Sequence, residues 1–425
     1  MNKYDSELVT GILKNSGYTA VDDIEDANIV LINTCSVREH AEKRVMDKID
    51  SYYSAKKKSD RSIIGVLGCM AERMGNRIIE KIPAVNFVLG PDEYRNLPET
   101  LALHLGLGDY KISEVNKDEE TYSDLYPSRC GGVSAWIAIM RGCNNFCSYC
   151  IVPYVRGRER SRPMQDIINE AKLVVAEGFS EIVLLGQNVN SYRHEDIDFP
   201  ALINAVSKVP GIKRVRFATS HPKDVSLELL EAIACQDNIC NHIHLAVQSG
   251  SNSILKAMNR KYTREDFIHL IEDARKIIGD PGIFTDVIVG FPGESEADFK
   301  DTYDLVKRLR FDGLFSFKYS PRQGTAAFKL KETVSEDEKV ERLIRLNQLQ
   351  KEIILERNSK LIGSCQKILV EGPDKKRKPG HYMGRSDTNK ITVFRHENRV
   401  SVGEVIDVKI TNAEGLTLFG ELIKR

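Results

Sequence analysis

The sequence predicts an α/β protein in three parts: an N-terminal doubly wound α/β domain, a central partial (β/α)6 barrel and a small C-terminal antiparallel β-barrel. Three observations carry this prediction. Short apolar runs alternate with amphipathic helical stretches twice, once before residue 106 and again from 133 to about 330. A polar, charged stretch separates the two series. After about residue 360 the helices stop, and short strands follow one another between turns. The boundaries read from these shifts are 1–106, a linker at 107–132, 133–358 and 359–425.

A chain of 425 residues has room for two or three domains. Its 41% hydrophobic and 29% charged residues are those of an ordinary globular protein. No apolar run approaches the roughly eighteen residues of a membrane span. The opening Met1-Asn2-Lys3-Tyr4-Asp5-Ser6-Glu7 is polar, unlike a signal peptide. The expectation is a cytoplasmic protein, and a monomer, with no membrane partner. There, nine Cys serve as metal or cluster ligands rather than disulfides. The 61 basic and 61 acidic residues cancel. A neutral total leaves nucleic-acid binding open, because the local distribution decides it.

In the N-terminal part, 5–16 reads as a helix ending at Gly17. Asn28 to Asn33 is a buried parallel strand, followed by a charged helix from about Val37 to Tyr53. Ser62 to Gly68 is the next strand, with a helix over 71–81. Val85 to Gly90 is a third, with a helix after Pro91. Cys35 and Cys69 each fall just past the carboxyl end of a strand, the edge at which such sheets bind ligands. A lone Cys there is usually a buried structural residue; two at equivalent strand ends indicate a shared site. Cys130, near the end of the linker, has no assignment.

In the central part, Trp136 to Met140 leads into a three-Cys loop. Strands recur at 181–185, 214–217, 243–247, 284–289 and 314–317, with helices between them such as 164–177 and 264–278. Six strands fall short of the eight of a closed barrel. The active face is expected at the carboxyl ends, where Gly186-Gln187-Asn188-Val189-Asn190, Thr219-Ser220-His221-Pro222, Gln248-Ser249-Gly250-Ser251 and Gly290-Phe291-Pro292-Gly293-Glu294 converge. Each alone is an ordinary βα turn; together they offer amides and hydroxyls to a ligand. His221 and His244 receive no catalytic role. Cys235 and Cys240 precede a strand and read as structural. A long helix over 334–359 carries Leu343, Leu346, Leu349 and Ile353 on one stripe and is expected to pack on the barrel.

In the last part, strands are expected at 367–370, 391–394, 404–408 and 416–420. Residues 360–425 hold 13 Lys and Arg against 8 Asp and Glu. Lys375, Lys376, Arg377 and Lys378, with Arg385, dominate that excess. A basic small β-barrel resembles an RNA-binding module; a solvated charge run is the plainer reading of the tetrad alone.

The chemistry rests on Cys143-Asn144-Asn145-Phe146-Cys147-Ser148-Tyr149-Cys150. Thiols spaced by four and then three residues can wrap one face of an iron–sulfur cube. No fourth Cys follows for about eighty residues, so one iron is left open for chemistry. A zinc site is the alternative, but zinc usually takes two ligand pairs or Cys/His mixtures, and no second Cys-x-x-Cys or His pair is present.

Cys-x3-Cys-x2-Cys with an aromatic before the last Cys resembles the signature of the radical S-adenosylmethionine (SAM) enzymes. The order of the three parts further resembles the methylthiotransferases, with their methylthiotransferase, radical SAM and TRAM domains. Met140-Arg141-Gly142-Cys143, Arg156-Gly157-Arg158-Glu159-Arg160-Ser161-Arg162-Pro163, Leu185 to Tyr192 and Tyr319 to Thr325 look like the branch that makes 2-methylthio-isopentenyladenosine in tRNA. The resemblance implies two 4Fe-4S clusters and SAM. Cys143, Cys147 and Cys150 would hold the SAM-cleaving cluster, and Cys35 and Cys69 an auxiliary one that donates the methylthio group. Tyr149 would lie against the SAM adenine, with Gln187, Asn188, Ser220 and Gln248 as further SAM contacts. The C-terminal barrel would grip the tRNA anticodon arm, and a flavodoxin or ferredoxin would supply electrons. Met1-Asn2 looks like the tail of the family's Gly-Cys-Gln-Met-Asn pattern, which implies a third auxiliary ligand just before residue one. A methylthiotransferase acting on a ribosomal protein and a non-catalytic RNA-binding protein with a structural metal are the alternatives.

Overall fold

The computed structural model describes residues 1–35, 45–47, 49, 52, 62–107, 120–374, 377, 380–396 and 400–423. Most of the helix expected over 37–53, and Lys375, Lys376 and Lys378, lie outside these residues.

The N-terminal sheet has three parallel strands in sequence order, β1 (Ile29–Thr34), β2 (Ile63–Gly68) and β3 (Phe87–Leu89). Both faces are covered, as the apolar strands require. Tyr4, Leu8 and Ile12 of the helix Asn2–Asn15 and Leu97 and Leu101 of the helix Leu97–His104 bury one face. Ile49, Met70 and Ile78 bury the other. The single helix expected over 71–81 is two, Cys69–Met74 and Arg77–Lys81, parted at Gly75, whose φ of 53° ends the first turn. Within the described end of the expected linker Asp124, Tyr126 and Cys130 are exposed, but Tyr122 is fully buried, and its hydroxyl donates to the Pro91 carbonyl at 3.0 Å.

The central part has six parallel strands: β4 (Ser134–Ala138), β5 (Glu181–Leu185), β6 (Arg214–Phe217), β7 (His242–His244), β8 (Gly282–Val289) and β9 (Gly313–Lys318). They form two three-stranded sheets, β6-β5-β4 and β7-β8-β9, joined by a bridge between Ser220 and Leu245. This is the expected partial barrel. Alternate residues such as Ile182, Leu184, Val215 and Val287 point outward into one continuous core shared with the surrounding helices. Those helices start where the sequence places caps: Thr263, Ser295 and Ser335 each form a capping box with Asp266, Asp298 and Glu338. β7 is shorter than the sequence implies, because Thr285 Oγ1 takes over the ladder. It donates to the Leu245 carbonyl at 2.7 Å and accepts from the Val247 amide at 3.2 Å. The long helix, Glu336–Ser359, packs on the barrel through Leu346, Leu349 and Ile353.

The C-terminal part is a closed five-stranded barrel of β10 (Cys365–Pro373), β11 (His381–Ser386), β12 (Ile391–Arg395), β13 (Val405–Glu414) and β14 (Thr417–Leu422), in the order β10-β11-β12-β14-β13. Two expectations are corrected. The β12–β14 pair is parallel, so the barrel is not wholly antiparallel. β11 is a fifth strand that the sequence reading missed. It lacks β-branched residues and carries Gly384, where a Cβ would fall 2.1 Å from the Leu369 carbonyl oxygen.

This barrel docks on the amino ends of the central strands. Arg214 Nη2 donates to the Lys367 carbonyl at 2.7 Å, and Arg216 Nη1 to that of Asp387 at 2.9 Å. Lys213 Nζ donates to that of Gly403 at 2.7 Å. Lys390 Nζ returns the contact, 2.6 Å from Asp312. A Cβ on Gly282 would meet Thr388 O at 2.3 Å. The C-terminal barrel therefore closes the end of the partial barrel opposite its carboxyl rim.

Candidate active site: two thiol centres

The three-Cys loop leaves the barrel after β4 and is fixed from several sides. The Cys143 amide donates to Gly157 O at 3.2 Å and the Cys150 amide to Cys147 O at 2.9 Å. The Ser148 amide donates to Met258 O at 3.0 Å, and Ser148 O accepts from the Ala327 amide at 2.7 Å. Asn259 Nδ2 holds the Phe146 carbonyl at 2.9 Å. Phe146 has a φ of 45°, a left-handed conformation that an aromatic residue adopts only under such constraint. Cys143 and Cys147 are buried and Cys150 is half-buried.

Burial and the neighbouring Cys147 and Cys143 push the Cys150 thiol up to about 12; burial also raises Cys143. Thiols packed this closely ionise together only when a cation compensates them, as iron in a cluster does. Among the described residues, no three His, Cys, Asp or Glu groups converge on a single ion. A four-iron cube is less demanding, since each thiolate reaches its own iron. Tyr149, in the same loop, packs against Ile254, Met258, Phe291 and Tyr319.

The strand ends around the loop carry polar atoms with nothing to bond. Gln187 Oε1, both ends of the Asn190 amide and Ser220 Oγ are buried without a hydrogen-bond partner among the described residues. Such orphans are rare unless a ligand satisfies them. Thr219 and Gln248, past the ends of β6 and β7, both have a φ of 69°, further strain at the same rim. These groups fit a ligand rich in donors and acceptors, as SAM is. Asn188, on the same rim, also holds neighbouring loops. Its Nδ2 donates to Asp224 at 2.6 Å and its Oδ1 accepts from the His221 amide at 3.0 Å, so it braces one βα loop against the next. His221 accepts from the Lys223 amide, and burial with the nearby Arg260 lowers its pKa to about 2, which keeps it neutral.

The second centre lies at the N-terminal sheet edge. Thr34 pairs with Gly68 in the β1–β2 register, so Cys35 and Cys69 come next on adjacent strands. Thr34 Oγ1 donates to Leu67 O at 2.6 Å and locks the two strand ends together. Cys69 packs against Ile151 and Val155, directly after Cys150. Arg156 Nε donates to Cys69 Sγ at 3.1 Å. Arg156 Nη2 reaches Asp5 at 2.6 Å, and Asp5 also takes Arg141 at 3.0 Å. Arg160 reaches Asp92 at 2.8 Å. The segment that closes the first centre thus clamps the domain that carries the second. The two arginines hold the Asp5 carboxyl below its ordinary value despite its burial.

Arg156, Asp5 and Arg260 had no signal in the sequence, because their partners lie 87, 151 and 113 residues away. Of the expected RNA contacts, Arg385 pairs with Glu371 at 2.9 Å, and Arg377 lies over the Phe419 ring at 4.7 Å. Cys130 and Cys235 are exposed and Cys240 is buried at the amino end of β7, away from both centres.

Known proteins match this arrangement along its whole length. The radical SAM superfamily model matches residues 137–306, the "uncharacterized protein family UPF0004" model 1–90 and the TRAM domain model 359–423. A tRNA-2-methylthio-N(6)-dimethylallyladenosine synthase from Bacteroides fragilis is 46% identical over 99% of this chain and 93% of its own. One from Thermodesulfovibrio yellowstonii is 42% identical over 100% and 96%. A radical SAM methyltransferase from Kitasatospora setae, solved with cobalamin and a [4Fe-4S] cluster, shares the fold. Its TM-score is 0.59 at 14% identity, covering 90% of this chain and 78% of that one. At such identity over nearly every residue, the chain belongs to the tRNA-2-methylthio-N(6)-dimethylallyladenosine synthase family of radical SAM methylthiotransferases.

Proposed function

We propose that this chain 2-methylthiolates isopentenyladenosine next to the anticodon of tRNA. The observation that carries the proposal is the facing of the two thiol centres, with Cys69 packed on the residue after Cys150 and tied to Arg156. A hydrogen-abstracting centre and a sulfur-donating centre must both reach one carbon, and a buried ion-pair clamp fixes their separation. Clusters bound at these thiolates would supply the reductive cleavage of SAM at one centre and the methylthio group at the other.

The chain's own residues bind and orient. Cys143, Cys147 and Cys150 hold one cluster, and Cys35 and Cys69 contribute to the other. Tyr149 offers an aromatic face, and Gln187, Ser220 and Gln248 line the rim for SAM. Burial of Cys143 and Cys147 shields that part of the loop from water. The C-terminal barrel, with Arg377 and Arg385 and the neighbouring lysines 375, 376 and 378, offers cations to the phosphates of the tRNA arm. A flavodoxin or ferredoxin is the proposed electron donor and a monomer the proposed state. A cytoplasmic place of work belongs to the same proposal; no helix among the described residues is long and apolar enough to cross a membrane.

The test is mass spectrometry of nucleosides from a strain lacking its own methylthiolation enzyme and carrying this chain. The expected product is 2-methylthio-isopentenyladenosine. Unmodified isopentenyladenosine alongside soluble, iron-loaded protein would overturn the assignment.

A further inference from the structure

Behind the three-Cys loop lies Arg260, buried at the end of the turn that follows helix Asn252–Ala257. Each arm of its guanidinium is engaged. Nε donates to Tyr262 Oη at 2.8 Å, Nη2 to Ala246 O at 2.6 Å, and Nη1 to Cys147 Sγ at 3.3 Å. The Tyr262 hydroxyl is itself fixed by donation to Val247 O at 2.8 Å.

Other buried arginines here meet carboxylates: Arg141 and Arg156 share Asp5, Arg162 has Glu170, Arg216 has Glu181 and Arg342 has Glu294. Arg214 lies instead against main-chain carbonyls of the C-terminal barrel. Arg260 has no carboxylate partner among the described residues, and the group it touches that can become an anion at cluster assembly is the Cys147 thiol. A buried cation without a counter-ion is costly. The thiolates of the loop are the counter-charge within reach.

We propose that Arg260 is the positioning and potential-setting residue of the three-Cys cluster. This goes beyond the activity above and rests only on the cluster reading of Cys143, Cys147 and Cys150. One-electron reduction adds a negative charge to a cluster. An N–H donor on a ligand sulfur and an uncompensated cation beside it both stabilise the reduced form, and so raise its potential. Arg156 makes the same kind of bond to Cys69, and there Asp5 is shared between Arg156 and Arg141. An arginine suits the task because its planar fork fixes one N–H on sulfur while the other two arms stay anchored.

The experiment is a redox titration followed by electron paramagnetic resonance, with the full-length chain reconstituted anaerobically. Cys35 and Cys69 are replaced by Ala so that one cluster reports. At the poise that half-reduces the parent, Arg260→Gln is expected to lower the reduced-to-oxidised ratio about tenfold, or 59 mV for one electron. Arg260→Lys, which keeps the charge but loses the fork, is expected to fall between the two. An unchanged ratio in Arg260→Gln at full iron content overturns the proposal. Should Arg260→Gln lose its iron, Arg260→Lys decides, and a ratio equal to the parent's overturns it. A parent that assembles no cluster overturns the reading of the site itself, a separate failure.

Discussion

The two thiol centres are built in opposite ways. The Cys143–Cys150 loop is local: three thiols within eight residues, held by main-chain bonds to Gly157, Met258 and Ala327. The Cys35–Cys69 centre is assembled from two strand ends that only the β1–β2 register brings together, and Asp5 and Arg156 secure it from a neighbouring helix and a neighbouring domain. A ligand set written into one short stretch survives changes elsewhere. One gathered by tertiary structure inherits the stability of everything that gathers it.

Breaking the local centre has the largest effect. Cys150→Ala is expected to abolish product and to remove the iron of one cluster while leaving that of the other, as iron and sulfide analysis with Mössbauer spectra would record. Product formation above background in that variant would refute the role of the loop.

Asp5→Asn attacks the assembled centre. It strands Arg141 and Arg156 without their shared carboxylate, and breaking a buried pair in this way costs about 3–5 kcal/mol. Chemical denaturation followed through the N-terminal domain should show that loss, with iron at the three-Cys loop retained. Equal loss of iron from both centres would remove the distinction drawn here.

Acid should act on the rim near the local centre. His221 is held neutral in the fold, with its pKa lowered from 6.5 to about 2, whereas in the unfolded chain it protonates at its ordinary value. The unfolded state therefore binds the extra proton, and stability is full above pH 6.5. It falls as pH drops below that, by up to about 1.4 kcal/mol per unit, or roughly 2 kcal/mol by pH 5. His221→Asn should flatten this part of the stability–pH curve; an unchanged slope would place the acid sensitivity elsewhere. The smallest effect is expected from Asn259→Ala, which removes one neutral hydrogen bond to the Phe146 carbonyl, worth about 1 kcal/mol. Its signature is faster loss of iron from the three-Cys loop alone.

Legibility followed the same divide. The three-Cys loop, the strands at 181–185 and 214–217 and the helix at 264–278 stand where local pattern placed them. What failed had causes outside the local stretch. β11 was hidden because Gly384 is demanded by the approach of β10 rather than by strand propensity. β7 was overdrawn because Val247 bonds to a threonine side chain instead of the ladder. The bracing bond of Asn188 was invisible because its partner Asp224 lies 36 residues on. The depth of Tyr122 in the N-terminal core was concealed by the charges that precede it.

The docking of the C-terminal barrel has a consequence for how such a chain varies through descent. Lys213, Arg214 and Arg216 address carbonyl oxygens of Gly403, Lys367, Arg385, Ser386 and Asp387. Every residue type presents that same oxygen, so these bonds do not depend on which side chains the barrel carries at those positions. The barrel's outer surface is free to change, while three cations on the central domain keep it seated in the same place.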